Sequence, residues 1–285
     1  MNWTGRRQRF RRQIESDHCV HPGSVFDPIS ARIAEDLGFE VGMFAGSIAS
    51  MTVLGAPDLI VLTLSEFAEQ AYRICRAGNL ALLVDADHGY GNALNVKRTV
   101  EELETSGVAA LTIEDTDLPQ PYGTVGSTRL LSIEEGASKM KAALEGRQDK
   151  NLVVAARTSA FRVTNNEDAV ARAKAYEAAG VDALFFAGVS TKEQVEMLHA
   201  NVSIPIFVAP QGKEVVDLSF LSANGVRICL QSHQPFSAAV QAVYTTLKAL
   251  RDGVPTSEIE NVASGNLMKQ VTRDDDFKRQ MKDYL

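Results

Sequence analysis

The sequence predicts an α/β protein: a closed (β/α)8 TIM barrel with one helix in front and a helical extension behind. Three observations carry this. Short apolar runs alternate with helical stretches eight times over, as strands and crossover helices do in a parallel sheet. The runs are continuously apolar, as strands buried on both faces are. An open doubly wound sheet would want a Gly-rich phosphate turn after the first strand, and Phe26-Asp27-Pro28 stands there instead. All 285 residues read as one barrel domain with 254–285 as the C-terminal extension, because no linker or low-complexity tract divides them.

In chain order, an amphipathic helix carries Trp3, Phe10 and Ile14 on its apolar side, with Arg6, Arg7, Arg9, Arg11 and Arg12 between them. No apolar segment follows the arginines, so this is not a secretory signal. Cys19 to Phe26 reads as the first strand. Asp27 caps a helix begun by Pro28 and stopped at Gly38. Val41 to Ala45 is the second strand, followed by Gly46-Ser47 and an irregular segment, then a helix over Ser65–Arg76. The third strand, 80–87, ends in Asp85-Ala86-Asp87. A helix over Asn95–Ser106 leads to the fourth strand, Ala109–Ile113, which ends in Glu114-Asp115. After a Pro- and Gly-rich loop over 116–128, Ser132 and Glu135 form a capping box on the helix Ile133–Leu144. The remaining strands are Leu152–Ala156, Ala183–Phe186, Ile204–Val208 and Val226–Leu230, with helices over Glu167–Ala179, Thr191–His199, Leu218–Ala223 and Phe236–Arg251. A last helix is expected over Asp274–Tyr284.

Bulk properties narrow the function. Hydrophobic residues make up 45% and charged residues 23%, enough to bury a sizeable core. The net charge of −7, with no basic stripe, argues against a nucleic-acid partner. No apolar run is long enough to span a membrane. Cys19, Cys75 and Cys229 fit neither a disulfide framework nor a zinc site, so a reducing cytoplasmic setting is expected.

Barrel active sites lie at the C-terminal ends of the strands, which are expected to bring together Ser47, Asp85, Asp87, Glu114, Asp115, Arg157 and His233. Asp85, Asp87 and Glu114 point to a hard divalent cation, Mg2+, taken directly or through water. Arg157 can bind a carboxylate or enolate oxygen, or pair with one of the acids. Gly46-Ser47 can offer a hydroxyl and backbone N–H groups to an anion, or Ser47 can cap a helix. His233 can donate to a carboxylate, relay a proton, or cap the helix beginning at Pro235. His88 suits orienting a ligand or water; His18, His21 and His199 carry no special signal.

With these residues in place, the chain resembles the phosphoenolpyruvate mutase/isocitrate lyase superfamily. The matching pieces are Gly46-Ser47, Gly55-Ala56-Pro57-Asp58, Asp85-Ala86-Asp87-His88-Gly89-Tyr90-Gly91, Ile113-Glu114-Asp115 and Ala156-Arg157-Thr158. The lyases of this superfamily carry a Pro-Lys-x-Cys-Gly-His loop; here the Lys, Cys and His positions are Gln120, Tyr122 and Thr124. Ser159 stands where an acid usually follows the Arg-Thr pair. Gly225-Val226-Arg227-Ile228 leading to His233 is similar to the oxaloacetate decarboxylase branch, as are Ser24-Val25-Phe26-Asp27-Pro28 and 87–96.

The resemblance implies that Ser47, Arg157 and His233 contact substrate and that Asp85 serves Mg2+, with Mn2+ able to substitute. The expected reaction is Mg2+-dependent decarboxylation of oxaloacetate, a small 2-oxo dicarboxylate, to pyruvate and CO2 through an enolate that the metal stabilises. One alternative is a C–C or C–P lyase or hydrolase on a 2-methylisocitrate-like or phosphonopyruvate-like acid, with Tyr122 or His233 as acid/base. Another is a non-catalytic dicarboxylate-binding barrel. The resemblance also implies a homotetramer, a dimer of dimers, with C-terminal helices exchanged between neighbours.

Overall fold

A computed structural model describes residues 2–285. Its eight strands are β1 (Gly23–Ser24), β2 (Val41–Phe44), β3 (Ala81–Asp85), β4 (Ala110–Glu114), β5 (Val153–Thr158), β6 (Ala183–Val189), β7 (Ile206–Pro210) and β8 (Val226–Cys229). All are parallel and lie in sequence order in one sheet. A parallel bridge between Val20 and Ile228 joins the two edges, with Val20 N–H donating to the Arg227 carbonyl (3.1 Å) and Cys229 N–H to that of Val20 (2.9 Å). The (β/α)8 barrel is therefore present, closed at its seam by a single bridge. The expected first strand over Cys19–Phe26 shrinks to Gly23–Ser24, because Pro22 has no N–H to give the ladder.

In chain order the helices begin with α1 (Thr4–Glu15), α2 (Pro28–Asp36), α3 (Gly46–Ala49), α4 (Leu64–Cys75), α5 (Ala93–Ser106), α6 (Ile133–Gly146) and α7 (Ala160–Val163). They continue with α8 (Asn166–Ala179), α9 (Lys192–His199), α10 (Leu218–Ala223), α11 (Gln234–Arg251), α12 (Gly265–Thr272) and α13 (Asp274–Tyr284). The single-turn α7 and the helix α12 are additions to the sequence expectation. Asp27 caps α2 as expected, in a reciprocal box with Ser30. At α6 only half of the expected box forms: Ser132 accepts from the Glu135 N–H.

Helix α1 closes the N-terminal end of the barrel. Phe10 is fully buried, its ring edge-on to Phe207 at 6.2 Å. Two of the arginines are as buried as the apolar residues. Arg6 donates to the Cys75 carbonyl (2.7 Å), and Arg7 donates to the Val108 carbonyl (3.1 Å) and pairs with Asp149 (3.0 Å). Arg11 reaches the Leu152 carbonyl (3.2 Å) and Asp182 (2.9 Å). The guanidinium forks thus satisfy backbone carbonyls around the strand starts.

The opposite edge is unlike this. Helix α11 has no buried residue and exposes Val240, Val243, Tyr244 and Leu247. Beside its start lies an apolar groove of about 550 Å³, lined by Phe26, Ile33, Leu37, Phe39 and Pro235 among others. Helix α12 returns to α2, where Arg32 donates to the Val271 carbonyl (3.0 Å) and Arg273 pairs with Asp36 (2.7 Å). Among the described residues no helix is long and apolar enough to cross a membrane.

Candidate active site

The strand ends enclose a cavity of about 530 Å³. Ser47, Asp85, Asp87, Glu114, Arg157 and His233 all line it, so residues from five separate strand ends meet as the sequence predicts.

Asp85 ends β3 and is buried. It accepts from Thr112 Oγ1 (2.9 Å) and from the Asp87 N–H (3.3 Å), and its other oxygen pairs with Arg157. Arg157 Nε also lies 3.2 Å from Glu114 Oε2, and its guanidinium stacks on Phe185 at 5.4 Å. Arg157 thus lines the cavity while it is ion-paired with the acids.

The turn after β3 is tightly wound. Asp87, Gly89 and Tyr90 all have left-handed backbone, with φ of 47°, 76° and 60°. Its fold brings the Asp87 carboxylate against Gly46, where an added Cβ would lie 2.5 Å from both carboxylate oxygens. Gly46 thus serves the site by having no side chain. The Asp87 carbonyl accepts from the Glu114 N–H (2.8 Å), tying the two acidic strand ends together.

Three carboxylates around one guanidinium leave excess negative charge in a buried place. Burial first, then the charges of Asp85 and Glu114, push Asp87 well above the usual carboxylate range. Burial also raises Glu114, against the pull of Arg157. Burial lowers Arg157, but the surrounding carboxylates outweigh it and hold the guanidinium firmly charged. Among the described residues no three His, Cys, Asp or Glu side chains form a ready-made metal cage. The uncompensated charge nonetheless suits a divalent ion of the Mg2+ kind, which keeps several waters and takes one or two carboxylates.

His233 lies just past β8, where Ser24 Oγ is 2.8 Å from its Nδ1. That bond leaves Nε2 as the ring nitrogen free for a ligand. Burial lowers its pKa, against the pull of the Asp85 charge. It precedes α11 without capping it through its side chain. Ser47 also does not cap: the N-cap of α3 is Ala45, so the Ser47 hydroxyl remains available to the cavity.

Some sequence candidates fall elsewhere. Asp115, next to Glu114, turns away from the cavity and is buried between Arg172 (2.9 Å) and Tyr176 Oη (2.6 Å). Tyr122, at the lyase cysteine position, is fully exposed in the 116–128 loop and does not line the cavity, which that loop meets through Thr116, Leu118, Pro119, Gln120 and Thr128. His88 is buried with no partner at Nδ1 and is held near pKa 4 by burial and then by Lys139.

Asp58, Ser159, Arg162 and Phe185 line the cavity without having been singled out as site residues from sequence. Asp58 did stand in the Gly55-Ala56-Pro57-Asp58 phrase, which was the available signal for it. Burial and then Asp85 raise its carboxyl.

Comparison with known proteins agrees with this geometry. Residues 10–251 match the sequence profile of a family described as phosphoenolpyruvate phosphomutase. The chain is 52% identical over 285 residues to a protein named oxaloacetate decarboxylase from Bradyrhizobium sp. (strain ORS 278), covering 100% of this chain and 99% of that one. Two solved structures are similar. One is oxaloacetate acetylhydrolase with the inhibitor 3,3-difluorooxalacetate, at TM-score 0.86 and 26% identity, covering 98% of this chain and 97% of that one. The other is phosphonopyruvate hydrolase with oxalate and Mg2+, at TM-score 0.85 and 26% identity, covering 98% and 99%.

Proposed function

Because the chain belongs to the phosphoenolpyruvate phosphomutase family, we propose that it is a carboxy-lyase that decarboxylates oxaloacetate to pyruvate and CO2 in the cavity at the strand ends. The observation that carries this reading is the set of acids beside Arg157 with, among the described residues, no thiol and no tyrosine lining the cavity beside them. Breaking the C3–C4 bond of a β-keto acid needs a sink for the electron pair and nothing covalent.

Asp85 and Asp87, with Glu114 directly or through water, would hold Mg2+, and Mn2+ would substitute. Such an ion supplies a Lewis acid for the charge that grows on the C2 oxygen. Arg157 adds a fixed positive charge on the same side, kept in place by Asp85, Glu114 and Phe185. Gly46 lets Asp87 approach, and Ser47 offers its hydroxyl to the substrate carboxylate. As CO2 leaves, the C3–C4 electrons move to the C2 oxygen, and C3 of the enolate takes a proton from water, beside which His233 stands. Ser24 fixes the ring at Nδ1 for that position. The exposed Tyr122 weighs against a lyase reading that uses it as acid/base.

The test is pyruvate release from oxaloacetate by purified protein, with Mg2+, with Mn2+ and with EDTA. Turnover well above the metal-only background, lost in EDTA, is expected; no excess over background overturns the reading. Residues 1–285 act as one domain in a cytoplasmic enzyme. The bare apolar face of α11 and the groove beside it fit a homotetramer in which C-terminal helices are exchanged. Sedimentation as a monomer at micromolar concentration would exclude that assembly.

A further inference from the structure

The two arginines that line the cavity differ in what they already hold. Arg157 is committed to Asp85 and Glu114. Arg162 makes no ion pair with any carboxylate among the described residues, and it is exposed while lining the cavity. It sits on α7, the single turn that follows β5, so the strand that places Arg157 inside places Arg162 five residues on.

The neighbouring strand makes room for it. A register shift in β6 between Ala187 and Val189 sets Gly188 at φ 84°. A Cβ at 188 would come within 3.3 Å of Arg162 Cβ and 3.8 Å of its Cδ. The bulge and its glycine leave the channel in which the arginine stem lies.

We propose that Arg162 is the recognition group for the outer carboxylate of a four-carbon 2-oxo dicarboxylate. The inference rests on the reading of the site given above. Asp58, Asp85, Asp87 and Glu114 line the cavity against two arginines, so a dianion needs an unpaired positive charge wherever it can find one. Asp85 and Glu114 are buried, Arg162 is exposed and all three line one cavity, so a ligand held at the acids has room to extend its other carboxylate toward Arg162. That outer carboxylate loses its charge as it departs as CO2. Its contact with Arg162 is therefore stronger before the bond breaks than during it, and it acts on substrate binding more than on turnover.

The experiment is calorimetric titration in Mg2+ with two dianions of different reach, oxalate and 3,3-difluorooxaloacetate. Replacing Arg162 by Gln should weaken the four-carbon ligand about tenfold, the scale of a partly exposed charged hydrogen bond, and oxalate by less than about twofold. Arg162→Lys keeps the charge without the planar fork and should show a smaller weakening, again confined to the longer ligand. Equal weakening of both ligands would mean that Arg162 acts only through the general field, and no weakening would mean no contact; either overturns the proposal. Wild-type protein that binds both ligands but releases no pyruvate would sink the decarboxylase reading, while the Arg162 comparison would still decide this one.

Discussion

The two ends of the barrel treat charge in opposite ways. At the N-terminal end, Arg7 and Arg11 enter the protein with acid partners, Asp149 and Asp182, and each also donates to a backbone carbonyl. At the C-terminal end, Asp85 and Glu114 share one arginine, Asp87 has no ion pair among the described residues, and Asp87 and Tyr90 hold left-handed backbone. Burial raises Asp87 and Glu114 instead of being offset by partners. Acid partners and carbonyls hold most of the arginine donors at the end that α1 closes, whereas the acids at the strand ends outnumber the cations beside them.

The sharpest way to break that contrast is at Arg7. Arg7→Met removes the cation from Asp149 and Glu104 and strands the Val108 carbonyl, and should cost about 3–5 kcal/mol of stability. Urea unfolding checks this, with kcat expected to stay at the wild-type value; a loss of activity without a loss of stability would contradict the division. The reverse experiment is Asp87→Asn, which removes a buried like charge. It should lower kcat/KM about 100-fold through the metal site. It should also raise Tm by roughly 2–4 °C, as about 1 kcal/mol does in a chain of this size. A lower Tm would show that the Asp87 charge is already compensated.

The smallest effect concerns pH. Burial works to raise Asp149, but hydrogen bonds from Asn151, Arg7 and Thr4 outweigh it and hold the carboxyl down to about 2. Its folded pKa lies below its unfolded one, so its stabilisation is complete above the ordinary carboxylate range and fades as pH falls from about 4 toward 2. The Tm difference between wild type and Asp149→Asn should shrink across that window and vanish at its lower end.

Much of this was legible in the sequence. Continuous apolar runs ending in acids give the strand ends directly, and barrel closure then brings Asp85, Glu114, Arg157 and His233 together. Period two also forbids Glu114 and Asp115 from facing the same way, which is why Asp115 ends up with Arg172 instead of in the cavity. Other features leave no periodic signal. The α1 arginines look like a solvated helix face, because their partners are carbonyls from distant strand starts. Arg162 lies on a turn too short to show a helical pattern. Tyr122 aligns with a catalytic position in a motif, but its place depends on loop conformation, which motif spacing does not encode.

The seam bears on motion. Strands β3 to β5 are joined by ladders of several residues, whereas Val20 meets β8 through one bridge and β1 is two residues long. Local opening should therefore start at the seam, with the amides of Val20 and Cys229 trading hydrogen for deuterium before those of β4. Asp85 and Glu114 ride on the stiff arc, while His233 and Ser24 flank the seam. One half of the site is thus expected to keep its place while the other moves with the joint of the barrel.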